Sequence, residues 1–422
     1  MFKFIHAADV HLDSPLRGLA SYESAPVEAI RDACRRAFEN LVDLAIEEKV
    51  AFVLLAGDLY DGDWNDYSTG IFFSRQMGRL NDHNIRVFTV AGNHDAANRI
   101  TKALDNPANV KMFSSSKPEV IKIEDLKVAI HGQSFKEQHV YNNLAKGFSP
   151  ALEGFFNIGI LHTSLDGREG HANYAPCSKD DLVSKGYQYW ALGHVHELEH
   201  VSDDPPIVFP GCIQGRHIRE TGAKGCLLVT VDEKSTKPDL EMRSLDVLRW
   251  ILLTIDLTDV LEMREVWDLT RKEIQKAIKN AEGRPVALRI CYEGPTKMVD
   301  QISANPDHFT HEVKARGAEV AGENVWIEKV ENQLSGKRDL AAGLSDDSPL
   351  GIMLRDIIKI DGNPEEIDGL DGVLTELKQK LPLEAYKNDT GLNLDDEDTI
   401  KGLIEEVKQM LVSKLLMEEK PK

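Results

Sequence analysis

Five short apolar runs, each ending in Asp, His or Asn, constrain this chain more than any other feature of it. Phe2–Ala8 runs into Asp9-Val10-His11, and Ala51–Ala56 into Gly57-Asp58-Leu59-Tyr60-Asp61. Val87–Ala91 runs into Gly92-Asn93-His94-Asp95, Phe156–Leu161 into His162, and Tyr189–Leu192 into Gly193-His194-Val195-His196. Short, mostly apolar runs are the pattern of strands covered on both faces, and in such sheets sites lie beyond the strand ends. Gly57, Gly92 and Gly193 are expected to make tight turns there, because glycine accepts backbone angles that other residues avoid. The Asp-x-His and His-x-His spacings predict that each pair projects to one side of an extended segment. One such run means little, since Gly-Asn after a strand is ordinary hairpin chemistry and a single His is as readily a core or surface residue as a ligand. Five runs together point to one shared site.

The donors are carboxylates, imidazoles and one amide oxygen, with no thiolate, which suits a pair of borderline-to-hard divalent cations. A single carboxylate, Asp58, is suited to bridge two ions at the ~4 Å spacing of two-metal hydrolytic sites. His94 adds an imidazole that can handle a proton near neutrality.

These residues resemble the five-part signature of the calcineurin-like metallophosphoesterases: Asp9-x-His11, Gly57-Asp58-x-x-Asp61, Gly92-Asn93-His94-Asp95, His162 and Gly193-His194-x-His196. Within that family the chain is most similar to the SbcD branch, nucleases of DNA double-strand break repair, and to its YhaO-type bacterial exonucleases. The opening Asp9-Val10-His11-Leu12-Asp13-Ser14-Pro15-Leu16 and the stretch Phe209–Gly222 carry that closer likeness. The resemblance is strong over residues 1–235 and thins beyond. It implies one metal held by Asp9, His11 and His196, a second by Asn93, His162 and His194, and Asp58 between them. The ions would be two divalent cations, Mn2+ by first expectation, with Mg2+, Fe2+ or Zn2+ as alternatives. His94 would then act on the leaving oxygen. Asp61 would orient it, at a place that several SbcD-like enzymes fill with His. Arg216, His217 and Arg219, after a Pro-Gly turn, are candidates to contact substrate phosphates; the alternative is solvated loop charge. Asp95 is expected to cap or orient locally.

Composition sets outer bounds. A length of 422 residues predicts two or three domains. Hydrophobic residues make up 42% of the chain and mean hydropathy is -0.32, as in a soluble globular protein. No run approaches the ~20 apolar residues of a membrane helix, and with Phe2–Ala8 read as a strand no cleaved leader is expected. The five cysteines are scattered, the pattern of reduced thiols. A cytoplasmic, membrane-free protein is expected. The net charge of -20 opposes tight, unaided binding to nucleic acid, which needs a basic footprint. Part of the excess is local: residues 361–422 hold 16 Asp+Glu against 8 Lys+Arg.

Periodicity predicts helices over Val27–Glu48 and Asn65–His83, which alternate with the first three strands and so imply parallel strands with right-handed crossovers. Val120–Ile123 and Leu126–Gly132 read as a hairpin, and Ile207–Phe209 and Gly225–Val231 as strands of a second sheet. The expected fold class is α/β: a metallophosphoesterase β-sandwich core flanked by helices over residues 1–238, then a small α/β domain over 239–334. By resemblance that second domain is a capping domain. Residues 335–349 read as a linker, and 350–422 as a helical, acidic C-terminal region. Asp395–Asp398 would place negative charge at the start of its last helix, whose stripe of Ile400, Leu403, Ile404, Val407, Leu411 and Leu415 either packs on its own domain or docks a partner. The resemblance implies an SbcC-like coiled-coil ATPase on these C-terminal helices, DNA as substrate, and a homodimer. Two other functions stay open on sequence: a phosphodiesterase or phosphatase for small nucleotides or phosphoproteins, which the acidic charge suits, and a scaffold for a partner ATPase.

Overall fold

The computed structural model describes residues 1–14, 27–61, 67–97, 107–167, 173–232, 237–336, 349–360, 367, 369–380, 396, 399–405, 407, 408 and 411. Pro15 and Leu16 of the opening motif, linker residues 337–348, Asp395, Glu397, Asp398 and Leu415 lie outside them. The chain divides into two compact units, Met1–Ile251 with Ile278–Leu288, and Leu252–Ala277 with Arg289–Lys422.

In the first unit, β1 (Phe2–Ala7), β2 (Phe52–Leu55), β3 (Arg86–Thr89) and β4 (Val110–Met112) lie side by side in parallel. The expected helices supply the crossovers: α1 (Val27–Glu47) joins β1 to β2, and α2 (Tyr67–Asp82) joins β2 to β3. Strand alternation decides what each face meets. Ile5, Val53 and Val87 pack with Phe38, Leu41, Met77 and Leu80 in one cluster. Phe4, Phe52 and Phe88 pack in another with Ile130, Ile158, Tyr189 and Val208 of the second sheet.

The second sheet contains the expected hairpin, β5 (Glu119–Ile123) with β6 (Val128–Gly132), antiparallel. It continues through β7 (Phe156–His162), β8 (Tyr189–Gly193), β10 (Pro206–Pro210) and β9 (Leu198–Asp203) in that order. A third cluster, including Trp190, Leu192, Leu161, Phe148, Leu182 and Tyr187, covers the side of this sheet away from the sandwich interior. The two sheets form the expected sandwich with helices on the flank.

One expectation is overturned. Gly225–Val231, β11, does not join the second sheet but pairs antiparallel with β1, placing Phe4 opposite Val229, and β12 (Asp239–Ser244) extends the same sheet beyond it. β1 has β2 on one side only, so its other edge needs a partner for its backbone groups. Leu227 and Val229 then complete the sandwich core, while Cys226 and Leu228 face the helices. All five cysteines are buried and unpaired.

The second unit holds most of a three-stranded sheet in the order β13 (Arg249–Asp256), β14 (Val286–Thr296), β15 (Val325–Gly336). Its helices are α5 (Met263–Asn280), α6 (Val299–Ala304) and α7 (Pro306–Ala321), and two short helices, α3 (Asn93–Ala97) and α4 (Lys179–Val183), belong to the first unit. Asn305 caps α7 by accepting from His308 N at 3.1 Å, with Pro306 in the first turn, the usual division of labour at a helix start. Phe309 packs on Trp267 and Tyr292, ring centres 5.3 and 5.0 Å away. Beyond lie α8 (Pro349–Lys359) and α9 (Leu370–Lys380). Among the described residues no helix is long and apolar enough to cross a membrane.

Phe52 is fully buried and stacks on Phe4 with centroids 5.0 Å apart. Phe52→Ala is expected to destabilise the first unit by about 3–5 kcal/mol, read as a lower thermal midpoint. An unchanged midpoint would contradict this description of the sandwich core.

Candidate dimetal site

The loops beyond β1 and β2 run side by side. Asp9 N donates to Gly57 O at 3.1 Å, His11 N to Asp58 O at 3.0 Å and Leu12 N to Leu59 O at 2.9 Å. The first of these loops is not extended, contrary to the sequence expectation. Asp9, His11 and Asp13 sit at φ 50, 47 and 57°, and Asp58 at 50°. Left-handed residues at alternate positions, rather than a strand, carry the Asp9–His11 pair. His194 also has positive φ, 113°. Such residues cost about 1–3 kcal/mol each and gather at functional sites, where surrounding structure enforces them.

The glycines divide by role. Gly57, at φ 96°, makes the expected turn. Gly92 and Gly193 do not have positive φ; a Cβ at Gly92 would strike the Asp58 carboxylate, and one at Gly193 the Ala56 carbonyl. Close approach, not turn geometry, requires glycine at both.

The sequence-derived ligands converge. Asp9, His11 and His196 form one set of possible ligand atoms, Asp58, His162 and His194 another, and His11, Asp58 and His94 a third, each with its atoms within 4.8 Å of one another. Asn93, the first residue of a short helix α3 (Asn93–Ala97), brings its Oδ1 to 3.0 Å from His162 Nε2. Asp9, His11, Asp58, Asn93, His162 and His194 are all buried.

Hydrogen bonding fixes how the imidazoles face. His162 Nδ1 donates to Ala56 O at 3.0 Å, leaving the Nε2 lone pair facing Asn93 Oδ1 and, at 3.5 Å, Asp58 Oδ2. His196 Nδ1 donates to Glu220 Oε1 at 2.7 Å, and its Nε2 lies 3.3 Å from His11 Nε2 and 4.0 Å from Asp9 Oδ1. His11 Nδ1 is buried without a hydrogen-bond partner. Electron-pair donors therefore crowd together from several sides, an arrangement that cations relieve.

The carboxylates agree. Burial pushes the Asp9 pKa well above the usual range, with the Asp58 charge adding to it, although both Asp9 oxygens accept from His194 N. Burial also raises the Asp58 pKa, opposed by the charge and backbone N–H of His94. Buried carboxylates pushed toward their neutral forms are what a site shaped for cations shows without them.

His94 faces differently. Its Nδ1 lies 2.8 Å from Asp61 Oδ1. Burial disfavours the imidazolium, but the Asp61 hydrogen bond and the charges of Asp58 and Asp61 outweigh it, raising the His94 pKa to about 9. Asp61 is held by Ser14 Oγ at 2.6 Å and Arg216 Nη1 at 3.3 Å. Asp95 accepts from Gly92, Leu59 and Tyr60 backbone N–H groups, tying the β2 and β3 loops together.

Residues 2–198 match the calcineurin-like phosphoesterase family, and residues 250–335 the middle domain of metallophosphoesterase YhaO. The chain is 33% identical over 343 residues to the "uncharacterized metallophosphoesterase YhaO" of Bacillus subtilis, covering 80% of this chain and 83% of that one. The chain belongs to the YhaO-type calcineurin-like metallophosphoesterases. A protein of Sulfurisphaera tokodaii named as the DNA double-strand break repair protein Mre11 is 26% identical over 313 residues, 69% of this chain and 73% of that one. A Methanopyrus kandleri protein of the same name is 25% identical over 50% of this chain and 48% of its own. As a metallophosphoesterase the chain is a phosphoester hydrolase, and its His/Asp cluster fits the dinuclear metal site of that family.

The three candidates for phosphate contact separate. Arg216 is 9% exposed, and its guanidinium donates to Glu220 and Asp61 instead of facing solvent. A sequence shows its charge but not its burial. His217 is half-exposed, with Nε2 3.6 Å from Glu220, and Arg219 is exposed. Sequence reading missed Glu220. Its only signal was the four-residue spacing from Arg216, which closes an ion pair of 2.8 Å.

In this metallophosphoesterase Asp58→Asn is expected to remove metal and activity together, checked by elemental analysis beside turnover; retained activity would contradict a central place for Asp58. Glu220→Gln, which weakens the hold on His196, is expected to lower metal affinity about 10- to 100-fold, read by metal titration.

Proposed function

We propose that the protein is a Mn2+-dependent DNA nuclease, an exonuclease or endonuclease, that works in double-strand break repair with an SbcC-like coiled-coil ATPase. The observation that carries this reading is the convergence of the seven ligand candidates beside a His94–Asp61 pair. The likeness of most of the chain to proteins named for double-strand break repair supports it further. In this reading Asp9, His11 and His196 would hold one ion and Asn93, His162 and His194 the other, with Asp58 available to both. Oxygen and imidazole donors without thiolate suit Mn2+.

Two divalent ions, when bound, would supply the acidity that makes hydroxide available near neutral pH and the positive charge that offsets the phosphoryl oxygens. The chain's own residues do the rest. Asp61 accepts from His94 Nδ1–H, which leaves Nε2–H to donate to the departing oxygen. Arg216 holds Asp61 and Glu220 in place, and through them His94 and His196. His217 and Arg219 flank the entrance for a phosphate chain. The C-terminal helices dock the ATPase, and the working protein is a cytoplasmic dimer. A net charge of -20 fits an enzyme that receives DNA from a partner better than one that binds it unaided.

The test is digestion of end-labelled duplex DNA with Mn2+, Mg2+ or EDTA, beside a generic phosphodiester and a phosphomonoester. Degradation with Mn2+, abolished by EDTA, is expected. Cleavage of the small esters alone, with and without the ATPase, would move the function to small-nucleotide or phosphoprotein hydrolysis, which the acidic charge also suits. His94→Ala is expected to abolish turnover while metal content stays near normal. Loss of metal in that variant would make His94 a ligand instead.

A further inference from the structure

Beside the Asp/His cluster stands a group of aromatic rings that the reaction as described does not use. The Tyr174 ring lies 5.8 Å from His194, centre to centre. Tyr174 also meets Tyr141 at 6.2 Å and His139 at 5.5 Å. His139 and Tyr141 stack at 6.4 Å with only 24° between their planes. The rings therefore step outward from His194 to Tyr141, which is 68% exposed.

The wall is built rather than incidental. Ala175 N donates to Val140 O at 2.6 Å and Ser164 N to Tyr174 O at 2.9 Å, so the two aromatic segments are fastened to each other and to the loop after His162. Below them Ala96, Phe135 and Ala175 form a small core against which Val140, Leu144 and Tyr174 pack. Phe135 in turn meets the His162 ring edge-on at 5.5 Å. Packing does not account for Tyr141 itself, because a side chain that exposed buries little apolar area.

We propose that His139, Tyr141 and Tyr174 form a platform on which an unpaired nucleobase of the substrate stacks while its phosphate lies at the metal cluster. This rests on the nuclease reading of the site. Two features favour a nucleobase as occupant. The flat exposed rings are continuous with the site through His194, so a group stacked on them belongs to the molecule whose phosphate is being cut. A chain of net charge -20 draws little affinity from the phosphate backbone, and stacking holds a nucleotide without relying on charge. Aromatic stacking accepts every base, so the platform selects an unpaired end over a paired one and shows little sequence preference.

The experiment is calorimetric binding of dAMP and of 2-deoxyribose 5-phosphate to the Mn2+-loaded full chain, for wild type, Tyr141→Ala and Tyr141→Phe, beside DNA cleavage by the wild type with and without the ATPase. The base is expected to improve binding by about tenfold or more in wild type, to improve it less than about twofold in Tyr141→Ala, and to regain its full effect in Tyr141→Phe. Equal binding of the two ligands by wild type, or a base preference that survives Tyr141→Ala, overturns the platform. Equal binding together with DNA cleavage overturns the platform alone. A base preference lost in Tyr141→Ala, without DNA cleavage, keeps the platform and overturns the nuclease reading.

Discussion

Asp9 and Asp58 are carried below the surface at the ends of two neighbouring strands, close enough that the charge of one raises the proton affinity of the other. Much of the first unit exists to hold that arrangement. Two buried like charges are costly unless cations join them, and the surrounding groups are turned to receive cations. His162 and His196 each direct Nδ1 to an oxygen and Nε2 inward. The stability that is sacrificed here is returned elsewhere, by the phenylalanine-rich interior of the sandwich and the helices packed on its flank.

The precision of the cluster comes from the backbone. Strands β1, β2, β7 and β8, with the turn after β3, deliver ligands from two sheets, and a sandwich fixes those sheets face to face. Left-handed Asp9, His11, Asp58 and His194 then aim side chains that extended residues would send elsewhere. Gly92 and Gly193 let neighbouring chain segments come within contact of Asp58 and the Ala56 carbonyl. Around the donors, Glu220 and Arg216 fix His196, while Ser14 and Arg216 fix Asp61. Arg216 thus joins the metal side of the site to the proton-handling side.

What could be read from the sequence follows from range. Buried strands and amphipathic helices announce themselves within a few residues, so α1 and α2 fall within two residues of expectation and the strand-end residues were identifiable as one site. Sheet membership is a long-range property, which is why β11 was assigned to the wrong sheet: nothing in Gly225–Val231 says whether β1 or β10 is its neighbour. The alternation that suggested an extended Asp9-Val10-His11 has the same spacing as alternating left-handed residues, and spacing alone does not separate them. Burial was equally hidden at Arg216. The aromatic wall joins Tyr141 to Tyr174 across more than thirty residues and leaves no periodic trace in the sequence.

Acidity and phosphodiester chemistry are compatible once the site's charge is counted with its cations, since divalent ions supply the positive field that the chain itself lacks. That makes metal binding the point on which the whole account turns. The most direct measurement is a titration of the metal-depleted full chain with Mn2+, following stoichiometry by calorimetry and the thermal midpoint alongside. The account predicts two ions bound per chain and a midpoint that rises with metal concentration, because ions that bind only the folded site stabilise it. Saturation at one ion, or no binding with an unchanged midpoint, would contradict a dinuclear centre.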